Sequence, residues 1–393
     1  INATRLFSVI HKKTLNVGRV MTPTLAMVVE REAVIAGFVP EPFFHVELAG
    51  DGFTAMSERL RTLEDAEYVR KACEGQTVAV SDVSSQERTE HPPRLYDLTT
   101  LQRDANRLLG FSAQQTLDYA QSLYEKKLIT YPRTDSRFLP SDMAEAAMSI
   151  ANAASTVLPF LEGVPYTCDV HRVVDDAKVS DHHALLPTGQ IVTADVMPLP
   201  AGEREVLRLI VLRLVIATGE DHRYVETKAH LACTGHDFLV KGKRVISAGW
   251  KAVDAAFRES IRADPGKEGE ADSVKEEPAM TATLQAGMEV AAHHLAIREG
   301  KTTAPKTFTE DTLLSAMESA GAEEESEERT HRGLGTPATR AGIIEKLIRT
   351  ELMARHGGRK AKTLQPTEKG RQLIAILPET IRSPRMTAEW EHR

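Results

Sequence analysis

Two groups of short alternating apolar and polar runs lie far apart in the chain, within residues 41–86 and 220–260. Alternation with a period of two residues is typical of strands that bury one face of a sheet. The residues between the two groups carry helical patterns instead. The arrangement predicts a β-rich domain with a helical domain inserted into it, and therefore a multidomain α+β fold.

Composition excludes several classes of protein. Hydrophobic residues make up 41% of the 393 residues and charged residues 27%, which excludes a wholly disordered or fibrous chain. No run approaches the roughly 18 apolar residues of a membrane span, and the first residues lack the apolar core of a signal peptide. Cys73, Cys168 and Cys233 are scattered without a C-x-x-C pair, which argues against a disulfide framework or zinc ribbon and favours a reducing cytoplasm.

Charge is distributed unevenly along the chain. The net charge of −7 argues against a uniformly basic protein, yet residues 329–393 contain fourteen Lys and Arg against six Glu, a net +8. An acidic run at 322–329 precedes them, and residues 261–278, rich in Gly, Pro and charge, predict a linker or exposed insertion. A solvated surface is the ordinary interpretation of a charge run, but these bases lie on a recognisable element.

That element is a predicted series of helix, helix, basic hairpin and helix. Thr309 is placed to cap the first helix, and Thr336-Pro337 opens the second, with Arg340 predicted to point outward. The sequence HGGRKAK at 356–362 predicts a hairpin tip, and another helix follows. The series resembles a winged helix, a module that binds nucleic acid or contacts other proteins.

The predicted helical insertion contains the segment with the clearest chemistry. Thr99 with Gln102 and Ser112 with Gln115 fit the spacing of capping boxes. After the second helix, the short apolar run 128–130 predicts a strand that delivers Tyr131 to an exposed turn.

Tyr131 is followed at alternating positions by Arg133, Asp135 and Arg137. A phenol flanked by guanidinium groups suits attack on a phosphodiester, because arginine neutralises the phosphate oxygens and stabilises the charge of the transition state. The alternative is a packing tyrosine whose hydroxyl is satisfied within the protein.

The stretch LITYPRTDSRFLP (128–140) resembles the active-site segment of type IA DNA topoisomerases, in particular of the topoisomerase III branch. Further segments resemble motifs of that family in the family's order: VGRVMTPTLAMVVERE (17–32), HPPRLYDLTTLQ (91–102), DHHALLPT (181–188), FTEDTLLSAMESAG (308–321), GLGTPATRAGIIEKL (333–347), LQPTEKG (364–370) and TAEWE (387–391).

The resemblance implies a toroid made of a β-rich arch and helical, winged-helix-like domains, without the N-terminal TOPRIM domain. The implied parts are a helical base (1–40), the arch (41–90), the helical catalytic-tyrosine domain (91–219), the second part of the arch (220–295) and the second part of the base (296–393).

The resemblance also implies roles for individual residues. Tyr131 is the nucleophile that forms a 5′-phosphotyrosine and releases a 3′-hydroxyl, and Arg133 steadies the scissile phosphate. His182 hydrogen-bonds DNA near that phosphate; His183 is the alternative assignment, and a buried histidine that donates to the backbone is the structural alternative. The residues expected to contact DNA are Arg19, Thr22, Asp135, Thr336, Thr339 and Arg340. Met21 stands where the family usually has glutamine, so it is expected to pack rather than contact DNA.

Cofactor and partner expectations follow from the same resemblance. Magnesium is expected for the full-length enzyme, with its ligands in the TOPRIM domain, since no D-x-D-x-E pattern occurs here. No P-loop motif is present, and no ATP is needed because the phosphotyrosine conserves the bond energy. The expected partner is DNA, preferentially single-stranded, bound by a cytoplasmic monomer without a membrane.

The termini suggest a piece of a longer protein, because Ile1 is no initiator and INATRLF resembles the point just after a TOPRIM domain. Such a fragment is expected to be inactive in relaxing DNA. Two other functions stay open: a non-catalytic single-stranded DNA clamp, and a tyrosine nickase of the relaxase type, whose metal-binding histidine triad is not evident in this sequence.

Overall fold

The computed structural model describes residues 2–179, 181–262, 284–291, 294–321, 333–358 and 362–392. The strands within these ranges are β1 (Pro42–Gly50), β2 (Phe53–Ser57), β3 (Thr77–Glu90), β4 (His222–Cys233), β5 (His236–Ser247), β6 (Glu289–Ala291), β7 (His294–Lys301), β8 (Met353–His356) and β9 (Thr363–Pro366). The helices are α1 (Asn2–Ile10), α2 (Met21–Ala36), α3 (Leu63–Cys73), α4 (Leu98–Leu109), α5 (Ala113–Glu125), α6 (Ala144–Asn152), α7 (Ala201–Ala217), α8 (Trp250–Arg262), α9 (Glu310–Ser319), α10 (Pro337–Arg349), α11 (Glu368–Ile376), α12 (Glu379–Arg382) and α13 (Pro384–His392).

Strands from both sides of the helical segment join one antiparallel sheet, in the order β6-β3-β4-β5-β2-β1-β7. Alternate residues of β1, such as Phe44, Val46 and Leu48, are buried, because one face of the sheet packs on its own core, which includes residues of α3. The predicted interruption of a β-rich unit by a helical insertion is therefore confirmed. Most of the predicted linker and the acidic run 322–329 lie outside the described residues.

A second core lies within the helical segment. Its centre is α7, where apolar residues cover most of the circumference and are buried against neighbouring helices. Val253 and Phe257 of α8 pack into this core, although α8 follows the strands β4 and β5 in the chain. The domain limits, including the predicted end of the helical domain at residue 219, stay a prediction. The helix α8 lies beyond that limit in the chain but packs on the helical core.

A third core joins α2 to α9, α10, α11 and the hairpin β8–β9. The predicted order of helix, helix, hairpin and helix is confirmed, with Thr309 capping α9 and Pro337 in the first turn of α10. Met21 is buried in this core, as expected of a residue that packs. Residues 359–361 of the hairpin tip lie outside the described part.

One of the two predicted capping boxes is wrong. Asp97, not Thr99, caps α4: its carboxylate accepts from the Thr100 amide at 2.7 Å, and the Thr100 hydroxyl accepts from the Asp97 amide at 3.1 Å. The box of Ser112 with Gln115 at the start of α5 is confirmed. The difference matters because Asp97 also contacts the segment that carries Tyr131.

Cys73 and Cys233, distant in sequence, lie together in the core of the sheet domain. The Cys73 thiol lies 3.5 Å from the carbonyl oxygen of Cys233, and both cysteines are free. Both are buried and act as small apolar side chains, and burial raises the pKa of the Cys233 thiol to about 11. Among the described residues, no helix combines the length and apolar character needed to cross a membrane.

Candidate active site

The segment around Tyr131 is an irregular extended chain held by hydrogen bonds on both sides. The Thr130 amide donates to the Leu186 carbonyl, and the Leu186 amide donates to the Thr130 hydroxyl, each at 2.9 Å. On the other side, the Leu98 amide donates to the Thr134 carbonyl at 3.0 Å. The predicted strand 128–130 is thus reduced to an isolated bridge between Ile129 and Pro187.

Burial alternates along this segment. Pro132, Thr134 and Ser136 are buried, whereas Tyr131, Arg133 and Asp135 are exposed. In an extended chain, successive side chains point to opposite sides. The alternation therefore places the predicted nucleophile, its arginine and the aspartate on one accessible side.

Tyr131 is accessible but held by neighbouring rings. Its side chain is 36% exposed, and its ring meets Tyr124 edge-on with centroids 5.5 Å apart and planes at 75°. The ring of His182 lies 4.8 Å away, centroid to centroid. No described residue forms a hydrogen bond with the Tyr131 hydroxyl. This geometry does not match a packing tyrosine with a satisfied hydroxyl.

The two arginines of the motif, Arg133 and Arg137, differ in their ion-pair contacts. Arg133 is exposed and forms no ion pair with any described residue. Arg137 instead donates to Asp97 at 2.6 Å and to Glu318 of α9 at 3.0 Å. Burial lowers the pKa of the Arg137 guanidinium, but the charge of Asp97, the hydrogen bond to Asp97 and the charge of Glu318 together outweigh burial and raise that pKa above its usual range. Arg137 thus ties the segment to α4 and α9, while Arg133 stays accessible to a ligand.

The neighbouring histidines also separate by their contacts. His182 is exposed against the Tyr131 ring, while His183 is half-buried with Nδ1 at 2.7 Å from the Ala184 carbonyl oxygen. His183 therefore matches the structural alternative, a histidine that bonds to the backbone. Of the two, His182 is the one that reaches the candidate nucleophile.

Three of the residues expected to contact DNA gather where α2 and α10 begin. Arg19, Thr336 and Thr339 are exposed, and the two threonine hydroxyls lie 3.2 Å apart. Gly335 brings the elements together: its φ is +64°, and a Cβ there would lie 3.3 Å from Cγ1 of Val20. A larger residue would be strained by both the backbone and the contact.

Thr22 is a correction to the expected DNA contacts. Its side chain is 1% exposed, and its hydroxyl accepts from the Gly18 amide at 3.0 Å. Thr22 therefore holds the turn before α2, and its buried side chain is not accessible to DNA.

Arg340 is a second correction, because the prediction that it points outward is wrong. The residue is 5% exposed. Its Nε donates to the Leu334 carbonyl at 3.2 Å, and Nη1 donates to the Thr99 hydroxyl at 3.1 Å. A Cβ at Gly333 would lie 2.6 Å from Nη2, so glycine leaves room for the guanidinium. Arg340 joins α10 to α4.

Residues other than Arg340 supply the accessible positive charge of the basic region 329–393. Arg355 is bound by Glu310 at 2.7 Å and also by Glu345. Lys346, Arg349 and Lys362 are exposed and form no ion pair with any residue that the structure describes. These three can offer positive charge to a phosphate backbone.

No group of three His, Cys, Asp or Glu side chains suited to a metal ion occurs in the described ranges.

Sequence reasoning missed Tyr124, which lies off the apolar face of α5 and is exposed beside Tyr131. An aromatic residue off the buried face was the signal available for it.

A family model described as DNA topoisomerase matches residues 1–393. The chain belongs to the DNA topoisomerase family. Relatives named DNA topoisomerase 3 include those of Bacillus subtilis (strain 168), 39% identical, and Bacillus licheniformis, 38% identical; each match covers 100% of this chain. This topoisomerase chain spans about half of their length, 54% in both.

A solved structure shows the same fold. Full-length topoisomerase I from Thermotoga maritima aligns with 97% of this topoisomerase chain and 59% of its own, at a TM-score of 0.70 and 24% identity. The expected type IA topoisomerase fold, with mixed helix and antiparallel sheet, is therefore confirmed.

Proposed function

We propose that this chain is the strand-cleaving body of a type IA, topoisomerase III-like enzyme. The intact enzyme cleaves one DNA strand through a transient 5′-phosphotyrosine, passes another strand through the gap and religates, without ATP. The observation that carries the proposal is Tyr131, exposed beside His182 and two residues before Arg133, which forms no ion pair with a described residue. Family membership supports the reaction class.

The proposed step is a transesterification. The Tyr131 oxygen attacks phosphorus and loses its proton, the phosphorus–O3′ bond breaks, and the leaving oxygen takes up a proton to become a 3′-hydroxyl. One phosphodiester is exchanged for another, so religation by the reverse attack needs no external energy source.

Arg133 and His182 serve this step in different ways. Arg133 neutralises the non-bridging phosphate oxygens, where charge accumulates in the transition state. His182, packed on the Tyr131 ring, donates a hydrogen bond to DNA next to the scissile phosphate. Asp135, on the same exposed side, lines the path of the strand.

The strand is proposed to continue along the surface where Arg19, Thr336 and Thr339 gather. Single-stranded DNA is the favoured form, because exposed aromatic rings such as those of Tyr131 and His182 can stack only on bases that are unpaired. Magnesium dependence is also proposed, with ligands from a TOPRIM domain, as the resemblance to type IA topoisomerases implies. The proposed setting is a cytoplasmic monomer on nucleoid or plasmid DNA.

The test is relaxation of negatively supercoiled plasmid, read by gel. Full-length protein carrying this chain is expected to relax the plasmid with magnesium, whereas residues 1–393 alone are expected to bind single strands without relaxing it. Tyr131→Phe in the full-length protein should abolish relaxation. Tyr68→Phe, at an exposed tyrosine on α3, is its matched control and should keep wild-type activity. Full-length protein that binds single strands but never changes plasmid topology would favour the clamp function and contradict the proposal.

A further inference from the structure

Tyr124 is an exposed aromatic residue in the last turn of α5, which ends at Glu125. Its side chain is 40% exposed, although its ring touches Tyr131. No described residue forms a hydrogen bond with its hydroxyl. A large ring left open to solvent at this place is free to take a ligand.

Tyr124, Tyr131 and His182 form a row of three exposed rings. Tyr131 lies in the middle, 5.5 Å from Tyr124 and 4.8 Å from His182 between ring centroids. The contact with Tyr124 is edge-to-face at 75°, so the two tyrosine rings do not stack on each other. Tyr124 stays 40% exposed beside this contact, so part of its surface is open to solvent.

The backbone next to Tyr124 is held by hydrogen bonds, and the Lys127 side chain beside it carries a positive charge. The Lys127 amide donates to the Tyr124 carbonyl at 2.8 Å, and the Thr188 hydroxyl donates to the Lys127 carbonyl at 2.6 Å. Lys127 has a φ of +61°, and its exposed ammonium has no ion-pair partner among the described residues. Lys126, by contrast, is bound by Glu203.

We propose that Tyr124 is a stacking site for the nucleobase that adjoins the scissile phosphate, with Lys127 neutralising a neighbouring phosphate. This rests on the proposed function, which puts a DNA strand across Tyr131. Aromatic side chains bind unpaired bases by stacking, and basic side chains beside them track the backbone. A row that alternates base platform and nucleophile would fix which phosphate meets Tyr131.

The test is an abasic scan of a single-stranded oligonucleotide, with full-length protein in a Tyr131→Phe background so that binding is measured without cleavage. One abasic position, next to the phosphate that the wild-type protein cleaves, should weaken binding roughly 5- to 150-fold, the range expected for one lost stack. Tyr124→Leu should weaken binding of the intact strand by a similar factor and abolish the effect of the abasic site. Tyr124→Phe keeps the ring and should behave like the parent.

Tyr68→Leu is the matched control, since Tyr68 is 68% exposed and also makes an edge contact, with the ring of His236 at 5.7 Å. It should leave the scan unchanged. 2-Aminopurine at the sensitive position should be quenched by the parent protein, a readout that needs no Tyr124 variant. A scan with no sensitive position, or one that Tyr124→Leu leaves intact, overturns the stacking site even if the wild-type protein cleaves DNA. Absence of cleavage with a Tyr124-dependent scan contradicts the proposed function instead.

Discussion

The imidazole of His182 lies over one side of the Tyr131 ring, with the two planes tilted by 45° and the centroids 4.8 Å apart. His183 instead approaches the backbone at Ala184. The neighbouring histidines therefore do different work, and one substitution at each position separates the roles.

His182→Ala in the full-length protein is expected to slow covalent adduct formation roughly a hundredfold, the usual cost of one lost hydrogen bond to the reacting group. Single-strand affinity should change much less. His183→Ala should keep the adduct rate near wild type while lowering thermal stability. Equal adduct rates for His182→Ala and wild type would remove His182 from the site.

Arg137 is expected to hold the Tyr131 segment in place. Arg137→Ala leaves the buried carboxylate of Asp97 without its guanidinium, and we expect a loss of about 1–3 kcal/mol in the free energy of unfolding. Glu318→Gln, at the more exposed end of the same fork, should cost only about 0–1 kcal/mol. Urea unfolding compares the two, and a larger loss from Glu318→Gln would contradict this assignment.

Arg340 and Lys346, both on α10, should respond oppositely to alanine. Arg340→Ala should lower the unfolding temperature, because its buried hydrogen bonds to Leu334 and Thr99 are lost. Lys346→Ala should leave stability unchanged and reduce the salt dependence of single-strand binding by about 0.7 units of slope, the share of one phosphate contact. Binding measured across a salt series decides, and an unchanged slope for Lys346→Ala would mean that this face contacts no DNA.

Asp104 is expected to contribute to acid stability. Burial raises the pKa of this carboxyl group, but the charges of Arg213 and Arg107, together with hydrogen bonds from Arg107 and Tyr96, outweigh burial, so the pKa lies below its usual range. Stability from such a group is complete above its unfolded pKa of about 3.9 and is lost as the pH falls through the lower folded pKa. Asp104→Asn should lower the unfolding temperature near neutral pH and flatten its fall below about pH 4. A fall as steep as in wild type would contradict the shift.

Local patterns predicted the strands on both sides of the insertion and the helices of the basic region, because alternation and caps depend on neighbouring residues. The error at Arg340 came from giving charge more weight than periodicity. Arg340 precedes Ile344 and Leu347 by four and seven residues, which places all three on the buried face of α10. Thr22 was similarly misjudged, since Leu25 and Ala26, three and four residues later, are buried core residues.

The candidate site depends on contacts that local patterns do not contain. Tyr131 and His182 meet because residues 128–130 pair with 186–188, and no periodicity encodes that pairing. In the sequence, only the family resemblance indicated that Tyr131 and His182 belong to one site. Tyr124 carried no motif signal; its place off the buried face of α5 could be recognised in the sequence, but its contact with Tyr131 emerges from the fold alone.

The most direct measurement of the central claim is the covalent adduct itself. Full-length protein is incubated with 5′-labelled and 3′-labelled single-stranded DNA and quenched with denaturant, for wild type and for Tyr131→Phe. The wild-type protein should retain the label that lies 3′ of the break, as a 5′-phosphotyrosine requires, and Tyr131→Phe should form no adduct while binding single strands with nearly unchanged affinity. A denaturant-resistant adduct formed by Tyr131→Phe would show that another residue is the nucleophile.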